Sequence, residues 1–381
     1  MEKAGAAGIL ASQHIAALVD VGAIMPARPL DDDQIQPASL DLRLGQAAYR
    51  VRASFLPGTE RTVADRLARV RLHEISLLAG AVLEVGCVYI IPLLESLALP
   101  AGLSASANPK SSTGRLDVFT RVITDHAREF DQVPPGYRGP LYLEVSPRTF
   151  PVVVRTGSRL SQIRFRLGHA LLSDAALADL DRAETLVASS TAHIGNGIAL
   201  SIDLHGGAGL DGGRDGGDGG LVGYRGKRHT GVIDMDVKAA LEVRDFWEPI
   251  YAHGSGPDYG SLVLDPDQFY ILVSNEAVHV PPHYAAEMVP FDPLVGEFRV
   301  HYAGFFDPGF GHSAAGGSGS RAVLEVRSHE VPFILEHGQT IGRLVYESML
   351  EPPTTLYGAI ATSNYQGQGL KLSKHFRVNR P

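Results

Sequence analysis

The sequence predicts a mainly β protein with a few short helices. Short apolar runs separated by glycine, proline and aspartate recur after Pro37, and they include Val82–Ile91, Leu141–Val145, Val152–Arg155 and Ser161–Phe165. Runs of this length bounded by turn residues are typical of strands in a sandwich or a barrel. The fold class is therefore all-β in its core, with helices confined to connections.

An internal repeat predicts that the same fold occurs twice. LEVGCVYIIPLLESLALP (Leu83–Pro100) aligns with LDPDQFYILVSNEAVHVP (Leu264–Pro281), and LYLEV aligns with AVLEV. A constant offset kept over about 80 residues indicates a tandem duplication, because strand-rich composition alone does not keep Glu, Pro and Gly in step. The matched positions lie 181 residues apart: Tyr89 and Tyr270, Glu95 and Glu276, Pro100 and Pro281, Glu144 and Glu325, Pro151 and Pro332, Gly157 and Gly338. We therefore divide the chain into repeat one (1–185) and repeat two (186–381).

One helix is predicted near the start of the chain, over Ser12–Val21. Ile15, Leu18 and Val19 fall at the spacing of one helical face. Between the repeats, His205–Gly220 (HGGAGLDGGRDGGDGG) is so rich in glycine that we expect a mobile loop. Its single GGAGLD resembles one unit of a calcium-binding β-roll, but a lone copy favours the loop interpretation.

Composition limits the classes of function. A net charge of −8 over 381 residues argues against a general nucleic-acid binder, which needs surplus Lys and Arg, although it allows a nucleotide ligand. Cys87 is the only cysteine, so no intrachain disulfide can form and a cytoplasmic setting is expected. No apolar run is long enough to predict a membrane span or a signal peptide.

The segment NPKSSTGRLDVF (Asn108–Phe119) carries a compact set of phosphate-binding groups. Lys110 precedes two adjacent hydroxyls, Ser111 and Ser112, and Arg115 follows. Hydroxyls donate to phosphate oxygens, and an arginine binds them in bidentate fashion. The pattern also occurs in ordinary surface turns, so alone it has low specificity.

The segment VHYAGFFDPGFG (Val300–Gly311) is followed by SRAVLEV (Ser320–Val326). Asp307-Pro308-Gly309 predicts a turn joining two strands of a hairpin, whose backbone could contact the edge of a pyrimidine. Glu325 lies between Leu324 and Val326 on the second strand. It is either an exposed strand residue or a carboxyl in a dry pocket, where its pKa would rise and suit proton transfer.

The C-terminal segment Tyr357–Lys374 (YGAIATSNYQGQGLKLSK) is polar and glycine-rich. Such a segment is either a disordered end or a lid that orders over a ligand. We expect a lid that contributes little to the hydrophobic core.

Together these segments resemble the dCTP deaminase family of the trimeric dUTPase-like superfamily. QIQPASLDLRLG, PKSSTGR, YAGFFDPGF, AVLEV and NYQGQGLKLSK are similar to five motifs of that family. The resemblance covers most of the chain, and it implies two tandem dUTPase-like domains of the β-barrel or sandwich type.

The resemblance also implies residue roles. Glu325 matches the glutamate that activates water, and Ser111 and Arg115 match its catalytic partners. Asp307 matches an acidic residue near the sugar, and Asn364 stands where a lysine is common in the family. The substrate-binding set implied by the motifs is Lys110, Ser111, Ser112, Arg115, Ala303, Asp307, Val323, Leu324, Tyr357, Asn364 and Gln368.

Each repeat keeps only part of the family pattern. Repeat two has PFDPLVG where repeat one has the serine and arginine motif, and repeat one has a longer, only partly similar hairpin segment at Thr124–Gly139. We therefore expect one composite site, with phosphate groups bound by repeat one and the base bound by repeat two and the tail. Glu144 remains a rival general base, because it also lies in a Leu-Glu strand.

The resemblance implies hydrolysis of dCTP to dUTP and ammonia, which would supply dUTP for thymidylate synthesis. One cysteine cannot provide the Cys-x-x-Cys pair of zinc deaminases, so no zinc is expected, and Mg²⁺ is expected only as the counterion of the triphosphate. The alternatives are a dUTP diphosphatase, an enzyme that performs both reactions, and a non-catalytic nucleotide-binding regulator. The expected partners are dCTP or dUTP and further copies of the chain in a homo-oligomer, without nucleic acid or membrane.

Overall fold

A computed structural model describes residues 7–188, 190–206, 220–252, 259–290, 298–300, 304–328, 330–359 and 365–377. The protein is mainly β, as the sequence predicts. The strands of repeat one are β1 (Gly8–Ile9), β2 (Ile24–Pro26), β3 (Leu40–Arg43), β4 (Ala47–Val51), β5 (Arg71–Ser76), β6 (Ala81–Leu83), β7 (Val88–Ala98), β8 (Leu103–Pro109), β9 (Val118–Thr124), β10 (Gln132–Val133), β11 (Arg138–Pro147), β12 (Val152–Val154) and β13 (Arg159–Leu167).

Repeat two contains a matching series of strands. These are β14 (Ile198–Ser201), β15 (Leu221–Gly226), β16 (Ile233–Asp234), β17 (Trp247–Tyr251), β18 (Ser261–Leu264), β19 (Phe269–Val278), β20 (Tyr284–Pro290), β21 (Phe298–Val300), β22 (Phe305–Phe306), β23 (Ser320–Ser328), β24 (Phe333–Glu336) and β25 (Thr340–Ser348). The helices are α1 (Ser12–Asp20), α2 (Val63–Val70), α3 (Ser111–Gly114), α4 (Asp174–Glu184) and α5 (Val243–Phe246), with a 3₁₀ turn at Ser313–Ala315.

The two repeats share one sheet order. In repeat one, β5-β4-β7-β11-β9 form one sheet and β1-β13-β8-β10 another, with β3 also on β13. In repeat two, the order is β17-β15-β19-β23-β21 in one sheet and β14-β25-β20-β22 in the other. The central strands correspond at the offset of 181, since β13 begins at Arg159 and β25 at Thr340. The predicted tandem architecture is confirmed.

Side-chain contacts follow the same offset. The Tyr89 hydroxyl accepts a hydrogen bond from the Glu84 N–H at 3.1 Å, and the Tyr270 hydroxyl accepts one from the Asp265 N–H at 2.9 Å. Each tyrosine thus fastens the turn before its own strand. The duplication therefore preserved individual contacts as well as strand order.

Two sequence expectations need adjustment. Helix α1 ends one residue before the predicted limit, with Ile15 buried against the core as expected. The run Val82–Ile91 is not one strand but two, because a turn closes where the Cys87 N–H donates to the Glu84 carbonyl. Gly86 occupies this turn with a φ of 74°, a backbone conformation that favours glycine. The other three predicted runs correspond to β11, β12 and β13, although β12 ends one residue before the predicted limit at Arg155.

The hydrophobic cores are not confined to their own repeats. Strand β16 of repeat two pairs with β12 in parallel, and Trp247 packs edge-on against Phe150 with ring centroids 5.2 Å apart. Phe376, which follows the C-terminal segment, packs against the same Trp247 with ring centroids 6.0 Å apart. Helix α4 lies before the domain boundary expected at residue 185, yet its buried leucines belong to the core of repeat two. The repeats are therefore joined by an extensive apolar seam.

Among the described residues, no helix is long and apolar enough to cross a membrane. The glycine-rich segment lies largely outside the described residues, at 207–219. Its expected mobility stays a prediction.

Candidate active site

A cavity of about 350 Å³ lies where repeat one, repeat two and the C-terminal segment meet. Nine of the predicted site residues line it: Lys110, Ser111, Ser112, Arg115, Asp307, Val323, Glu325, Tyr357 and Gln368. The structure thus brings together three sequence segments that are far apart in the chain. Both repeats and the tail contribute to its wall, as a composite site requires. Which part binds the phosphates and which binds the base stays a prediction.

Cationic side chains, each near carboxylates, occupy one part of the wall. Lys110 Nζ lies 2.5 Å from Asp41 Oδ1, and Arg159 contacts Asp31 at 2.6 Å and Asp33 at 2.7 Å. Lys374 joins them from the tail, and burial, together with the neighbouring Lys110 and Lys238, lowers its pKa to about 8. Such a group of cations can bind the oxygens of a phosphate chain.

Ser111 and Ser112 begin the short helix α3 at the end of β8. Within the described part of the chain, neither hydroxyl has a hydrogen-bond partner in the protein, although both residues line the cavity. The Ser112 carbonyl is held from the tail by the Ser373 hydroxyl at 2.8 Å. The two hydroxyls are therefore available to a ligand while their backbone is fixed.

Arg115 is buried at the centre of the site, with 3% of its surface exposed. Its guanidinium donates to the Lys371 carbonyl at 2.9 Å and to Gln368 Oε1 at 3.0 Å, and it stacks 3.9 Å from the centre of the Tyr365 ring. Its Nε makes no hydrogen bond and faces Glu325 Oε1 at 4.0 Å. Arg115 thus connects the tail to the carboxylate of repeat two.

Glu325 lies on β23 and is only 4% exposed. Burial raises the pKa of this carboxyl to about 8, and the negative charge of Asp117 acts in the same direction, while Arg115 opposes both. The sequence left open whether Glu325 is an exposed strand residue or a carboxyl in a dry pocket, and its burial agrees with the second interpretation. A carboxyl that titrates near neutral pH can both accept and return a proton.

Alternation along β23 separates two predicted neighbours of Glu325. Val323 lines the cavity, but the Leu324 side chain is fully buried in the core of repeat two. Successive strand residues point to opposite faces, so the Leu324 side chain does not line the cavity. The predicted contact of Leu324 with substrate stays a prediction.

Glu144, the rival general base, does not line the cavity. Its carboxylate lies on β11 and accepts hydrogen bonds from Arg121 at 2.6 Å and 3.1 Å. The Arg121 guanidinium in turn stacks 3.5 Å from the centre of the Phe130 ring. The position equivalent to Glu325 in repeat one is therefore filled by the chain's own side chains.

The sequence led us to expect that the turn Asp307-Pro308-Gly309 joins two paired strands of a hairpin. The structure shows that it does not. Strand β22, before the turn, pairs with β20, whereas β23, after it, pairs with β19 and β21 in the other sheet. The Asp307 carboxylate is held by Arg164 at 3.2 Å, and burial raises its pKa. The turn thus forms a corner of the cavity within a long connection.

The tail is an ordered wall of the site wherever it is described. Tyr365 and Gln368 line the cavity, and Gln368 also donates to the Arg321 carbonyl at 3.1 Å. The expectation that the residues after Tyr357 add little core is wrong, because Leu372 in the tail and Phe376 just after it are buried in a hydrophobic core that both repeats share. The apolar residues between polar ones anchor the segment across the seam.

Two predicted residues, Ala303 and Asn364, lie outside the described residues. Sequence reasoning also missed other residues of the cavity, among them Asp41, Arg159, Tyr365 and Lys374. Asp41, Tyr365 and Lys374 lie inside motifs that the sequence analysis had identified, so their sequence position could have indicated them. Arg159 lies outside those motifs, and the pairing of β13 with β3 brings it to the site. No group of three or more His, Cys, Asp or Glu side chains arranged to hold a metal ion occurs among the described residues.

Comparisons with known proteins identify the family to which this chain is similar. Family models for the N-terminal and C-terminal domains of 2′-deoxycytidine 5′-triphosphate deaminase match residues 6–169 and 173–376. A dCTP deaminase of Halorubrum lacusprofundi is 35% identical over 142 residues, which cover 36% of this chain and 66% of the relative. A "dCTP deaminase, dUMP-forming" of Coprothermobacter proteolyticus is 29% identical over 42% of this chain and 82% of its own length.

A solved structure extends the similarity to nearly the whole chain. The crystal structure of 2′-deoxycytidine 5′-triphosphate deaminase from Agrobacterium tumefaciens is 67% identical, with a TM-score of 0.84, and the match covers 91% of this chain and 100% of that one. The two family models together span both repeats and the tail. The resemblance found in the motifs is therefore confirmed, and the chain belongs to the dCTP deaminase family.

Proposed function

We propose that this protein hydrolyses dCTP to dUTP and ammonia in the cavity between its repeats, with Glu325 as the proton-transferring group. The observation that carries the proposal is the buried Glu325 carboxyl, which lines the cavity beside Arg115 at 4.0 Å and has a pKa of about 8. A carboxyl with this pKa is populated in both protonation states near neutral pH. It can therefore serve as base and then as acid in one reaction.

The proposed reaction begins when Glu325 accepts a proton from water as its oxygen bonds to C4 of cytosine. The proton passes to N3, and a tetrahedral centre forms at C4. Glu325 then accepts the proton of the new hydroxyl and returns it to the amino group, the C4–N bond breaks, and ammonia leaves as the C4 carbonyl forms. Arg115 and Ser111 are the candidates for stabilising charge at the tetrahedral centre.

Repeat one and the tail supply the proposed triphosphate contacts. Lys110, Arg159 and Lys374 place three cations on the wall, and Ser111 and Ser112 add hydroxyl donors. Mg²⁺ would enter as part of the nucleotide, bound mainly to phosphate oxygens and water. We propose a zinc-independent reaction, because Cys87 is the only cysteine and the known zinc deaminases need a pair.

A second candidate function is release of dUMP by the same protein. Two relatives named "dCTP deaminase, dUMP-forming" favour it, one from Coprothermobacter proteolyticus and one from Dictyoglomus thermophilum, each 29% identical. The fold is common to deaminases and diphosphatases, so architecture does not separate the two activities.

The test is incubation with dCTP and Mg²⁺ while ammonia, dUTP and dUMP are measured separately. Deamination alone gives equal ammonia and dUTP, and the dual reaction gives ammonia and dUMP. Glu325→Gln keeps the shape but cannot carry the proton, so kcat should fall by about 100-fold or more while dCTP still binds. No ammonia from the unaltered protein would refute the proposed function.

The matched control is Glu144→Gln, the equivalent substitution in repeat one. Glu144 lies outside the cavity and is paired with Arg121, so this variant should keep most of its turnover if it folds. Thermal unfolding of both variants establishes that they are folded. Loss of turnover in Glu144→Gln but not in Glu325→Gln would place the reaction in repeat one instead.

A further inference from the structure

Two charge pairs of opposite polarity join the repeats beside the site. Arg115 and Asp117 follow α3 in repeat one, and Glu325 and Arg327 lie two residues apart on β23. Residues two apart on a strand face the same side of its sheet. Arg115 faces Glu325 at 4.0 Å, and Arg327 donates to the Asp117 carboxylate. We call these four side chains the charge quartet.

Asp117 occupies a specified backbone position. Its φ of 55° lies in the left-handed region, which among non-glycine residues is most accessible to Asn and Asp. Its N–H donates to the Gly114 carbonyl at 2.9 Å, and its carbonyl accepts from the Arg148 N–H at 2.9 Å. With 1% of its surface exposed, Asp117 fixes the end of the turn that presents Arg115.

Arg327 is fixed from the other repeat. It is 5% exposed, and it donates to the Asp267 carbonyl at 2.6 Å and to the Thr149 hydroxyl at 3.0 Å. Thr149 in turn donates to Asp117 Oδ2 at 2.6 Å, so one hydroxyl bridges the pair. Neither Asp117 nor Arg327 is among the residues that line the cavity. They can act on a nucleotide there only through Arg115 and Glu325.

We propose that Asp117 and Arg327 are positioning residues for the deamination, whose ion pair fixes the turn that carries Arg115 against the strand that carries Glu325. The inference rests on the proposed function of Glu325. A buried ion pair does not by itself stabilise a protein, because both charges lose their hydration. Asp117 lies two residues from Arg115, and Arg327 lies two residues from Glu325. An ion pair placed in this way can fix both side chains of the proposed active site.

The charges of the pair predict opposite effects for its two members. The titratable and charged groups around Glu325 are Arg115, Asp117 and Tyr365, together with Arg327 on its own strand. Asp117→Asn removes a negative charge that raises the pKa of Glu325, so the substitution favours the Glu325 carboxylate and lowers its pKa. Arg327→Gln removes a positive charge from the strand that carries Glu325, which raises that pKa.

The experiment measures ammonia release from dCTP as a function of pH for the unaltered protein, both single variants and the double variant Asp117→Asn/Arg327→Gln. The acidic limb of kcat/KM should move by about 0.5–1 pH unit to lower pH in Asp117→Asn and to higher pH in Arg327→Gln. It should return close to its original position in the neutral double variant. In each single variant kcat should fall by a larger factor than KM changes, because the substitutions do not alter the proposed phosphate contacts.

A purely structural pair would lower activity without moving the limb in opposite directions, and that result overturns the proposal. The control is Glu248→Gln, which removes a half-exposed ion pair with Arg225 in the same sheet and should leave the profile unchanged. If a single variant does not fold, Thr149→Val removes only the bridging hydroxyl and should lower kcat about two- to tenfold. An unchanged kcat in Thr149→Val would also overturn the proposal.

The two proposals fail in different ways. Absence of ammonia from the unaltered protein refutes the proposed function and involves no member of the pair. A second outcome is that Glu325→Gln abolishes turnover while the acidic limb of kcat/KM does not move in the Asp117 and Arg327 variants. That outcome supports the proposed function and refutes the positioning role.

Discussion

Replacing Glu325 by glutamine should make the protein more stable at alkaline pH. In the unfolded chain this carboxyl has the ordinary glutamate pKa of 4.5, and burial raises its pKa in the folded protein to about 8. Between these values the folded state holds a proton that the unfolded state releases. The contribution of Glu325 to stability is therefore complete below pH 4.5 and is lost as the pH rises through about 8.

The size of the effect follows from the same two values. Each pKa unit between the folded and unfolded states corresponds to about 1.4 kcal/mol, so ionisation of Glu325 should cost the folded state on the order of 3–5 kcal/mol. The carboxyl is 4% exposed, so solvent screens little of this cost. Arg115 is already counted, since its favourable charge opposes the rise in pKa.

The assay is urea unfolding of both proteins at about pH 5 and about pH 9, on either side of most of this titration. Trp247 is the only tryptophan and is buried at the seam between the repeats, so its fluorescence reports the unfolding of the joined core. The free energy of unfolding of the unaltered protein should fall between the two pH values by more than that of Glu325→Gln. Comparing this change between proteins cancels any pH-independent effect of the substitution.

The control is Glu248→Gln, whose side chain is 45% exposed and should leave the pH dependence of unfolding as it is in the unaltered protein. An equal pH dependence in the unaltered protein and in Glu325→Gln would refute the reasoning. It would mean that Glu325 ionises as freely in the folded protein as in the unfolded chain, and the proposed acid–base role would lose its physical basis.

Three further outcomes are expected. Arg115→Gln removes the cation 4.0 Å from Glu325, so the acidic limb of kcat/KM should move about one pH unit or more to higher pH, and a stationary limb would contradict this. Phe376→Ala should lower the free energy of unfolding by about 3–5 kcal/mol, whereas Gln368→Ala, which removes a partner of Arg115, should cost only about 1 kcal/mol in unfolding yet lower kcat/KM. Exhaustive chelation of zinc followed by restored Mg²⁺ should leave ammonia release unchanged, and activity rescued only by zinc would overturn the proposed mechanism.

The sequence by itself determined the β class, the duplication and the family. Hydrophobic runs between turn residues are local signals, and the offset of 181 is visible without any coordinates. The motif around Ser111 and the Leu-Glu strand around Glu325 could likewise be recognised from the sequence, because each lies within a short contiguous segment. The tail was recognised as part of the site, but its role in the core was not, because burial of Phe376 depends on a tryptophan from another segment.

Only the tertiary structure separated Glu325 from Glu144. Both lie in a Leu-Glu strand at equivalent positions, and nothing in their local sequence says that Arg121 fills one position and that a cavity opens beside the other. Likewise, alternation along β23 could be anticipated, but not which face meets the cavity. The pairing of Arg327 with Asp117 joins residues 210 positions apart. Such contacts depend on how two sheets and the tail pack together. They cannot be inferred from local sequence, because the residues that meet are far apart in the chain.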